Sequence, residues 1–141
     1  MTVPEEKTSP QEKIVIGPVI WTGFVTSDSA TFETQYRFFT SAYPKAWGSI
    51  AEGNAGFNLD AAGVHQLELL YITTGEPPWD KEGYQVGYRV ADIEQAADRV
   101  VAAGATLLGQ IKENHGRLQV HCEDPTGYYF TLMQPAAASS S

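Results

Sequence analysis

The sequence predicts an α+β fold in which two βαβββ modules form one cupped mixed sheet. The first observation is length, because 141 residues suit a single domain but not two independent ones. The second is that one order of strand and helix patterns occurs twice. The third is that the two copies align with an offset of 64 residues, which brings Asp28 onto Asp92. Such a repeat indicates a pseudo-symmetric sheet with its helices on one face.

The second half carries the clearer pattern. Its helix is predicted over "DIEQAADRVVAAG", where Asp92 is a suitable N-cap, Gln95 follows three residues later and Gly104 can end the helix. One apolar stripe at helical spacing supports this helix: Ile93, Ala96, Ala97, Val100 and Val101. "YQVGYRV" is predicted as the preceding strand, and three strands are predicted to follow, "ATLLGQI", "RLQVHCE" and "YYFTLMQ".

The first half repeats this order with a less regular helix. The strand "PVIWTGFVT" precedes "SDSATFETQYRFFTSAY", in which Phe32, Tyr36 and Phe39 share one face. Pro44 is expected to end this helix, because proline cannot continue it. "AWGSIAE", "AGFNLD" and "HQLELLYIT" are predicted as the three strands of this half.

The two ends of the chain lack this patterning. "MTVPEEKTSPQEK" is polar and has no apolar segment of a secretory signal, and "PAAASSS" is low in complexity. We expect a flexible leader over 1–13, one domain over 14–134 with modules at about 14–74 and 83–134, and a flexible tail over 135–141. Because no signal is present and Cys122 is the only cysteine, the cytoplasm is the expected compartment.

Composition argues against several classes of function. A formal net charge of −8 argues against nucleic acids and anionic membranes as partners, since both select basic patches. No apolar run approaches the roughly 18 residues of a membrane span. The sequence has no glycine-rich phosphate loop and no Ser-His-Asp order, so nucleotide-dependent and hydrolytic activities are not predicted.

The repeated βαβββ order, the segment "VGYRVADIEQAADRVVAAGA" and the closing "DPTGYYFTL" resemble the vicinal oxygen chelate superfamily. That group includes glyoxalase I, bleomycin-resistance proteins and extradiol dioxygenases. The resemblance spans residues 14–134 and is weak between 40 and 62. It implies the cupped sheet and, because members commonly pair, a homodimer. It does not select a reaction, since this fold hosts several chemistries.

Strand periodicity predicts which side chains line the cup. Successive residues alternate between the two faces of a strand, so the apolar set marks the helix-packed face. In "RLQVHCE" this leaves Arg117, Gln119 and His121 on the open face and places Cys122 among the packed residues, where we expect it to be inert. Trp79 is expected to cap the cup or to lie at a subunit contact. The predicted lining comprises Trp21, Glu68, Gln85, Gln119, His121, Tyr129 and Thr131.

The resemblance also implies a metal position that this sequence does not fit. Metal enzymes of the superfamily place a ligand on the first and last strands of each half, which correspond here to Trp21, Glu68, Gln85 and Thr131. Tryptophan cannot ligate a metal and threonine is a poor neutral ligand, so only Glu68 and Gln85 retain suitable donor atoms. We therefore expect no metal and no cofactor, unless His121 completes a site.

Three hypotheses for the function remain open. The first is a metal-free binding protein of the bleomycin-resistance type, whose aromatic or cationic ligand, such as an antibiotic or specialised metabolite, contacts Glu68. The second is a metal-independent isomerase, cyclase or lyase with Glu68 as base and His121 or Tyr129 as acid. The third is a metal-dependent lyase or dioxygenase that uses His121 as a ligand. A purely structural alternative is that Glu68 forms an ion pair with Arg89 or His121.

Overall fold

The structure is a computed structural model that describes residues 16–72, 75–114 and 116–135. The predicted leader and residues 136–141 of the predicted tail lie outside the described residues. The predicted domain limits therefore stay a prediction. Within the described ranges, neither helix has the length and hydropathy needed to cross a bilayer.

The first half has the predicted order of elements. Its helix begins after Asp28, whose carboxylate accepts a hydrogen bond of 3.0 Å from the backbone N–H of Thr31 and so caps the first turn. The elements in chain order are β1 (Val19–Thr26), α1 (Ser29–Ala42), β2 (Lys45–Ser49), β3 (Asn54–Asn58) and β4 (Gln66–Tyr71).

The second half contains one more short strand than predicted. Its elements are β5 (Gly83–Arg89), α2 (Ile93–Ala102), β6 (Thr106–Leu107), β7 (Lys112–Asn114), β8 (Arg117–Glu123) and β9 (Tyr129–Gln134). The prediction of "ATLLGQI" as one strand is wrong. The chain pairs with one end of β8 through β6, makes a last bond from the Leu108 N–H to the His121 carbonyl, and pairs again at the other end through β7.

All nine strands of the described residues form one curled sheet in the order β2-β3-β4-β1-β5-β9-β8-β6, with β7 paired to β8. β1 and β5 lie antiparallel at its centre, and each pairs in parallel with the last strand of its own half. Gly23 pairs with Glu68, and Gly87 pairs with Thr131. The two halves therefore repeat each other in strand register, and the predicted fold class is confirmed.

Each half has its own apolar core between the sheet and a helix. The core under α1 is rich in aromatic and large aliphatic side chains and contains Phe32, Ala55, Phe57, Leu67 and Leu69. The core under α2 combines alanine with branched side chains and contains Val90, Ile93, Ala96, Ala97, Val100, Val120, Cys122 and Leu132. Both helices cover the same face of the sheet, which leaves the opposite face available for a site.

A third apolar cluster lies between the halves, and it contains Ile20, Trp21, Val25, Leu70 and Met133. Strict alternation along β1 would send the neighbours Ile20 and Trp21 to opposite faces. The register between β1 and β5 shifts between Val19 and Trp21, which is the signature of a β-bulge. The bulge therefore allows both side chains to join one cluster on the open face.

Candidate ligand-binding site

A cavity of about 690 Å³ opens on the face of the sheet away from the helices. Its volume lies in the range of roughly 300–1,000 Å³ that is typical of small-molecule pockets. All three tryptophans of the chain, Trp21, Trp47 and Trp79, contribute to its wall. The charged and hydrogen-bonding side chains of the lining include Glu68, Asn114, Arg117, Gln119 and His121.

Glu68 projects between two indole rings because of two glycines in the neighbouring strands. It pairs with Gly23 of β1 on one side and with Gly56 of β3 on the other. The ring of Trp21 lies where a Cβ on Gly23 would be, and the ring of Trp47 lies where a Cβ on Gly56 would be. A larger residue at either glycine would displace the ring. The sequence thus places one carboxylate between two aromatic rings on the floor of the cavity.

The carboxyl group of Glu68 is held in an apolar setting. Burial raises its pKa to about 7, while a hydrogen bond from Trp21 and the positive charge of Arg117 act in the opposite direction. The Trp21 Nε1–H donates to Glu68 Oε1 over 3.1 Å. Among the described residues Glu68 forms no ion pair with Arg89 or His121, so its observed partner is an indole rather than a cation.

His121 is neutral at physiological pH. Burial, and secondarily the charge of Lys112, lowers its pKa to about 4. Its Nδ1 lies 2.9 Å from Thr131 Oγ1, and its Nε2 lies 3.5 Å from Gln119 Nε2. With the Gln119 amide as donor, Nε2 is the acceptor and the ring carries its proton on Nδ1. The imidazole therefore presents a hydrogen-bonding edge to the cavity without a charge.

The segment between the two halves covers the second half of the open face. Gln85 Nε2 donates to the carbonyl oxygen of Pro78 over 2.7 Å, which ties this segment to β5. The Trp79 ring then packs edge-on against His121, with 5.1 Å between centroids. Gln85 Oε1 is buried without a hydrogen-bond partner among the described residues. Trp79 therefore caps part of the cup, one of the two positions that the sequence suggested for it.

The predicted cup residues divide into three groups. Trp21, Glu68, Gln119 and His121 line the cavity. Gln85 and Thr131 lie on the same face but are buried, with 5% and 0% of their surfaces exposed, and do not line the cavity. Tyr129 lies outside the cavity, where its hydroxyl contacts Asp80 and Lys81 lies over its ring. Whether any of these residues carries the function stays a prediction.

Sequence reasoning did not select Arg117 or Trp47 as site residues, although both line the cavity. A signal for Arg117 was present, because strand alternation placed it on the open face of β8 with Gln119 and His121. Trp47 gave no such signal. The register between β2 and β3 shifts between Lys45 and Trp47, and this irregularity makes alternation along β2 uninformative.

The four positions that the resemblance assigns to metal ligands do not form a suitable donor set. The indole of Trp21 has only an N–H donor and directs it at Glu68. The Gln85 amide nitrogen donates a hydrogen bond to the Pro78 carbonyl oxygen, and the Thr131 hydroxyl oxygen lies 2.9 Å from His121 Nδ1. The described residues contain no group of three or more His, Cys, Asp or Glu side chains that could hold a metal ion. These residues do not fit a catalytic divalent metal.

Comparison with known proteins identifies the family. The model of the glyoxalase-like domain matches residues 24–133, which is most of the chain. The chain therefore belongs to the glyoxalase-like domain family, and the predicted membership of the vicinal oxygen chelate superfamily is confirmed. A search of curated protein sequences found no significant match.

Solved structures with the same fold include proteins of different activity. A glyoxalase/bleomycin resistance protein/dioxygenase superfamily member from Vibrio splendidus 12B01 is 19% identical, with a TM-score of 0.56 over 83% of this chain and 97% of that one. A variant of Streptomyces coelicolor methylmalonyl-CoA epimerase, in complex with 2-nitronate-propionyl-CoA, is 20% identical, with a TM-score of 0.60 over 86% and 99%. Methylmalonyl-CoA epimerase from Mycobacterium tuberculosis is 15% identical, with a TM-score of 0.61 over 91% and 94%. At these identities the likeness shows the fold alone.

Proposed function

We propose that this protein binds a small aromatic or cationic molecule in its cup without a metal ion. The observation that carries the proposal is the position of Glu68, a single carboxylate between the rings of Trp21 and Trp47 on the cavity floor. An ionised carboxylate attracts a cationic group, and indole faces add dispersion and cation–π attraction. The partly desolvated cavity strengthens these electrostatic contacts relative to water.

The ionisation of Glu68 controls this interaction. Because burial raises the pKa of Glu68 to about 7, a large fraction of the carboxyl groups is protonated at pH 6 and most are ionised at pH 8. A ligand with a permanent positive charge prefers the ionised form. Its affinity should therefore rise with pH between 6 and 8, and bound cation should in turn lower the pKa of Glu68.

The proposal is tested with benzyltrimethylammonium, whose charge does not change with pH, and with tryptophan fluorescence as the signal. We expect saturable binding that strengthens from pH 6 to pH 8. Glu68→Gln should weaken it by about tenfold at pH 8 and remove the pH dependence, since a charge-assisted contact is lost. Glu94→Gln changes an exposed carboxylate on α2 and serves as the matched control. Equal affinities for wild type and Glu68→Gln would contradict the proposal.

A metal-independent proton-transfer enzyme is the second candidate, an isomerase, cyclase or lyase. The observation that favours it is also at Glu68, since a pKa of about 7 suits a general base at neutral pH. His121 would then act as a neutral acceptor at Nε2, because its proton is held on Nδ1 beside Thr131. Tyr129 is a poorer partner, because its hydroxyl lies at Asp80 outside the cavity.

Deuterium incorporation separates the two candidates. Methylmalonyl-CoA is a reasonable first substrate, because two structural neighbours are named as methylmalonyl-CoA epimerases. Incorporation from D₂O that is faster than without protein, and that Glu68→Gln abolishes, would favour the enzyme. Incorporation at the uncatalysed rate argues against this substrate and supports the binding function when the cation binds.

The biological setting is part of the same proposal. The resemblance to antibiotic-sequestering members supports a role in specialised metabolism, and pairing within the superfamily supports a homodimer of one domain spanning residues 14–134. The sequence supports a cytoplasmic location. Light scattering of the purified chain tests the dimer, for which a monomeric mass would be the contrary result.

A further inference from the structure

The cavity contains a second charged group, Arg117, at the wall formed by β7 and β8. Arg117 begins β8, and its Nη1–H donates to the thioether of Met133 over 3.8 Å. Met133 is buried in the apolar cluster between the halves, with 3% of its surface exposed. The guanidinium group therefore lies over the floor of the cup. Its hydrogen-bond partner among the described residues is this weak acceptor, which leaves most of its five N–H donors available there.

Arg117 faces Glu68 without pairing with it. The ion pairs of the described residues are Arg37–Glu33 and Lys81–Glu123, so neither Arg117 nor Glu68 takes part in one. The two groups nevertheless share the lining of one cavity, and the positive charge of Arg117 opposes the rise in the pKa of Glu68. Two groups of opposite charge thus line one cavity without forming an ion pair with each other.

The surroundings of Arg117 also favour an anion. Asn114 Nδ2 donates to Gln119 Oε1 over 3.3 Å, which places the two amides side by side next to Arg117. Lys112, on the same short strand, adds positive charge that is felt at His121. A planar guanidinium with neighbouring amide donors is well suited to a carboxylate, which it can bind through two parallel hydrogen bonds.

We infer that the ligand is amphoteric: a carboxylate bound by Arg117 at the β7–β8 wall, joined to an aromatic or cationic part held beside Glu68. This inference rests on the proposed function and names its ligand class. It also gives a partner to an arginine that lies over an apolar floor in a chain whose net charge is −8. A molecule that bridges the two charges satisfies both, whereas a purely cationic ligand leaves Arg117 without a partner.

Three probes built on one ring test the inference at pH 8: benzyltrimethylammonium, benzoate, and 4-carboxybenzyltrimethylammonium, which carries both groups. Binding is followed by tryptophan fluorescence or by NMR titration. We expect the probe with both groups to bind most tightly. Arg117→Gln should weaken benzoate and the doubly charged probe by about tenfold and should leave benzyltrimethylammonium unchanged or slightly tighter.

Arg99→Gln is the matched control, because Arg99 is exposed on α2, on the opposite face of the sheet. It removes the same charge and should not change any of the three affinities. Arg117→Lys keeps the charge but not the two-pronged geometry, so it should weaken benzoate less than Arg117→Gln does.

The outcomes separate this inference from the proposed function. If benzyltrimethylammonium binds through Glu68 but benzoate does not bind, or binds equally well to Arg117→Gln, the amphoteric ligand is excluded and the binding function stands. If benzoate binding depends on Arg117 but Glu68→Gln does not change the affinity for benzyltrimethylammonium, the anion site at Arg117 is supported and the proposed role of Glu68 is contradicted.

Discussion

Glu68 in β4 and Thr131 in β9 occupy equivalent positions in the two halves, since each pairs with a glycine of the central strand beside it. Their surroundings differ. Glu68 points into the cavity between two tryptophan rings, whereas Thr131 is completely buried and lies within hydrogen-bonding distance of His121. The repeated backbone therefore presents an ionisable side chain to the cavity at this position in the first half and buries a hydroxyl group at the equivalent position in the second.

The segment between the halves explains this difference. It crosses the open face of the second half, where the Gln85 side chain donates to the Pro78 carbonyl and the Trp79 ring packs on His121. Trp21, the equivalent of Gln85 in the repeat, instead donates to Glu68 beneath the cavity. The strands of the two halves thus pair in equivalent register, while the connecting segment gives equivalent positions in the two halves different side-chain environments.

The largest expected effect comes from introducing a glutamate at position 131, which is the position in the second half equivalent to Glu68. Thr131→Glu adds volume and a charge at a position with 0% exposure, and it should destabilise the fold by more than about 3 kcal/mol. Thr131→Val keeps the volume and loses only the hydroxyl contact with His121, so about 1 kcal/mol is expected. Urea unfolding measures both. Equal stabilities would mean that the second half can hold a carboxylate, and the asymmetry would then not arise from burial.

The next effect concerns the pH dependence of stability, for which Glu68 and His121 have opposite signs. Folding raises the pKa of Glu68 from 4.5 to about 7, so the folded state binds more protons and loses stability as pH rises through this window. Folding lowers the pKa of His121 from 6.5 to about 4, so stability increases as pH rises from 4 to 6.5. In the wild type the two contributions oppose each other between about pH 4.5 and 6.5.

Single substitutions should expose these contributions. The free energy of unfolding of Glu68→Gln, relative to that of the wild type, should increase by up to about 3 kcal/mol as pH rises from 4.5 to 7, because one pKa unit corresponds to about 1.4 kcal/mol. His121→Gln should gain a similar amount relative to wild type as pH falls from 6.5 to 4. Unfolding free energies measured across pH, taken as differences from wild type, remove the contribution of other groups. Curves parallel to that of the wild type would show that neither group is desolvated in the folded state.

The smallest effect tests the tie between Gln85 and the connecting segment. Gln85→Leu removes the donor to the Pro78 carbonyl and should cost about 1 kcal/mol, with a change in tryptophan emission as Trp79 loses its fixed position on His121. Gln95→Leu is the control, because Gln95 is exposed on α2, on the face of the sheet away from Trp79 and the cavity. An unchanged emission spectrum in Gln85→Leu would show that other contacts position Trp79.

Sequence patterns predicted the fold better than the site. The strand "RLQVHCE" coincides with β8, and the cap at Asp92 begins α2, because alternation and capping are local signals. The placement of Trp79 over His121 depends on contacts between residues far apart in the chain, which periodicity does not encode. Tyr129 shows the same limit. Alternation placed Tyr129 on the same face as Thr131. It gives no information about where along the strand the cavity ends, and Tyr129 lies beyond that end.

The distribution of the three tryptophans and the single cysteine gives this molecule two separate internal reporters. All three indoles lie at the cavity, so intrinsic fluorescence reports on events in the cup. Cys122 lies in the core under α2, where burial raises the pKa of its thiol to about 12 and suppresses its reactivity. Its rate of alkylation therefore reports opening of that core. A ligand that slows thiol labelling while shifting the fluorescence would show that filling the cup stabilises the opposite side of the sheet.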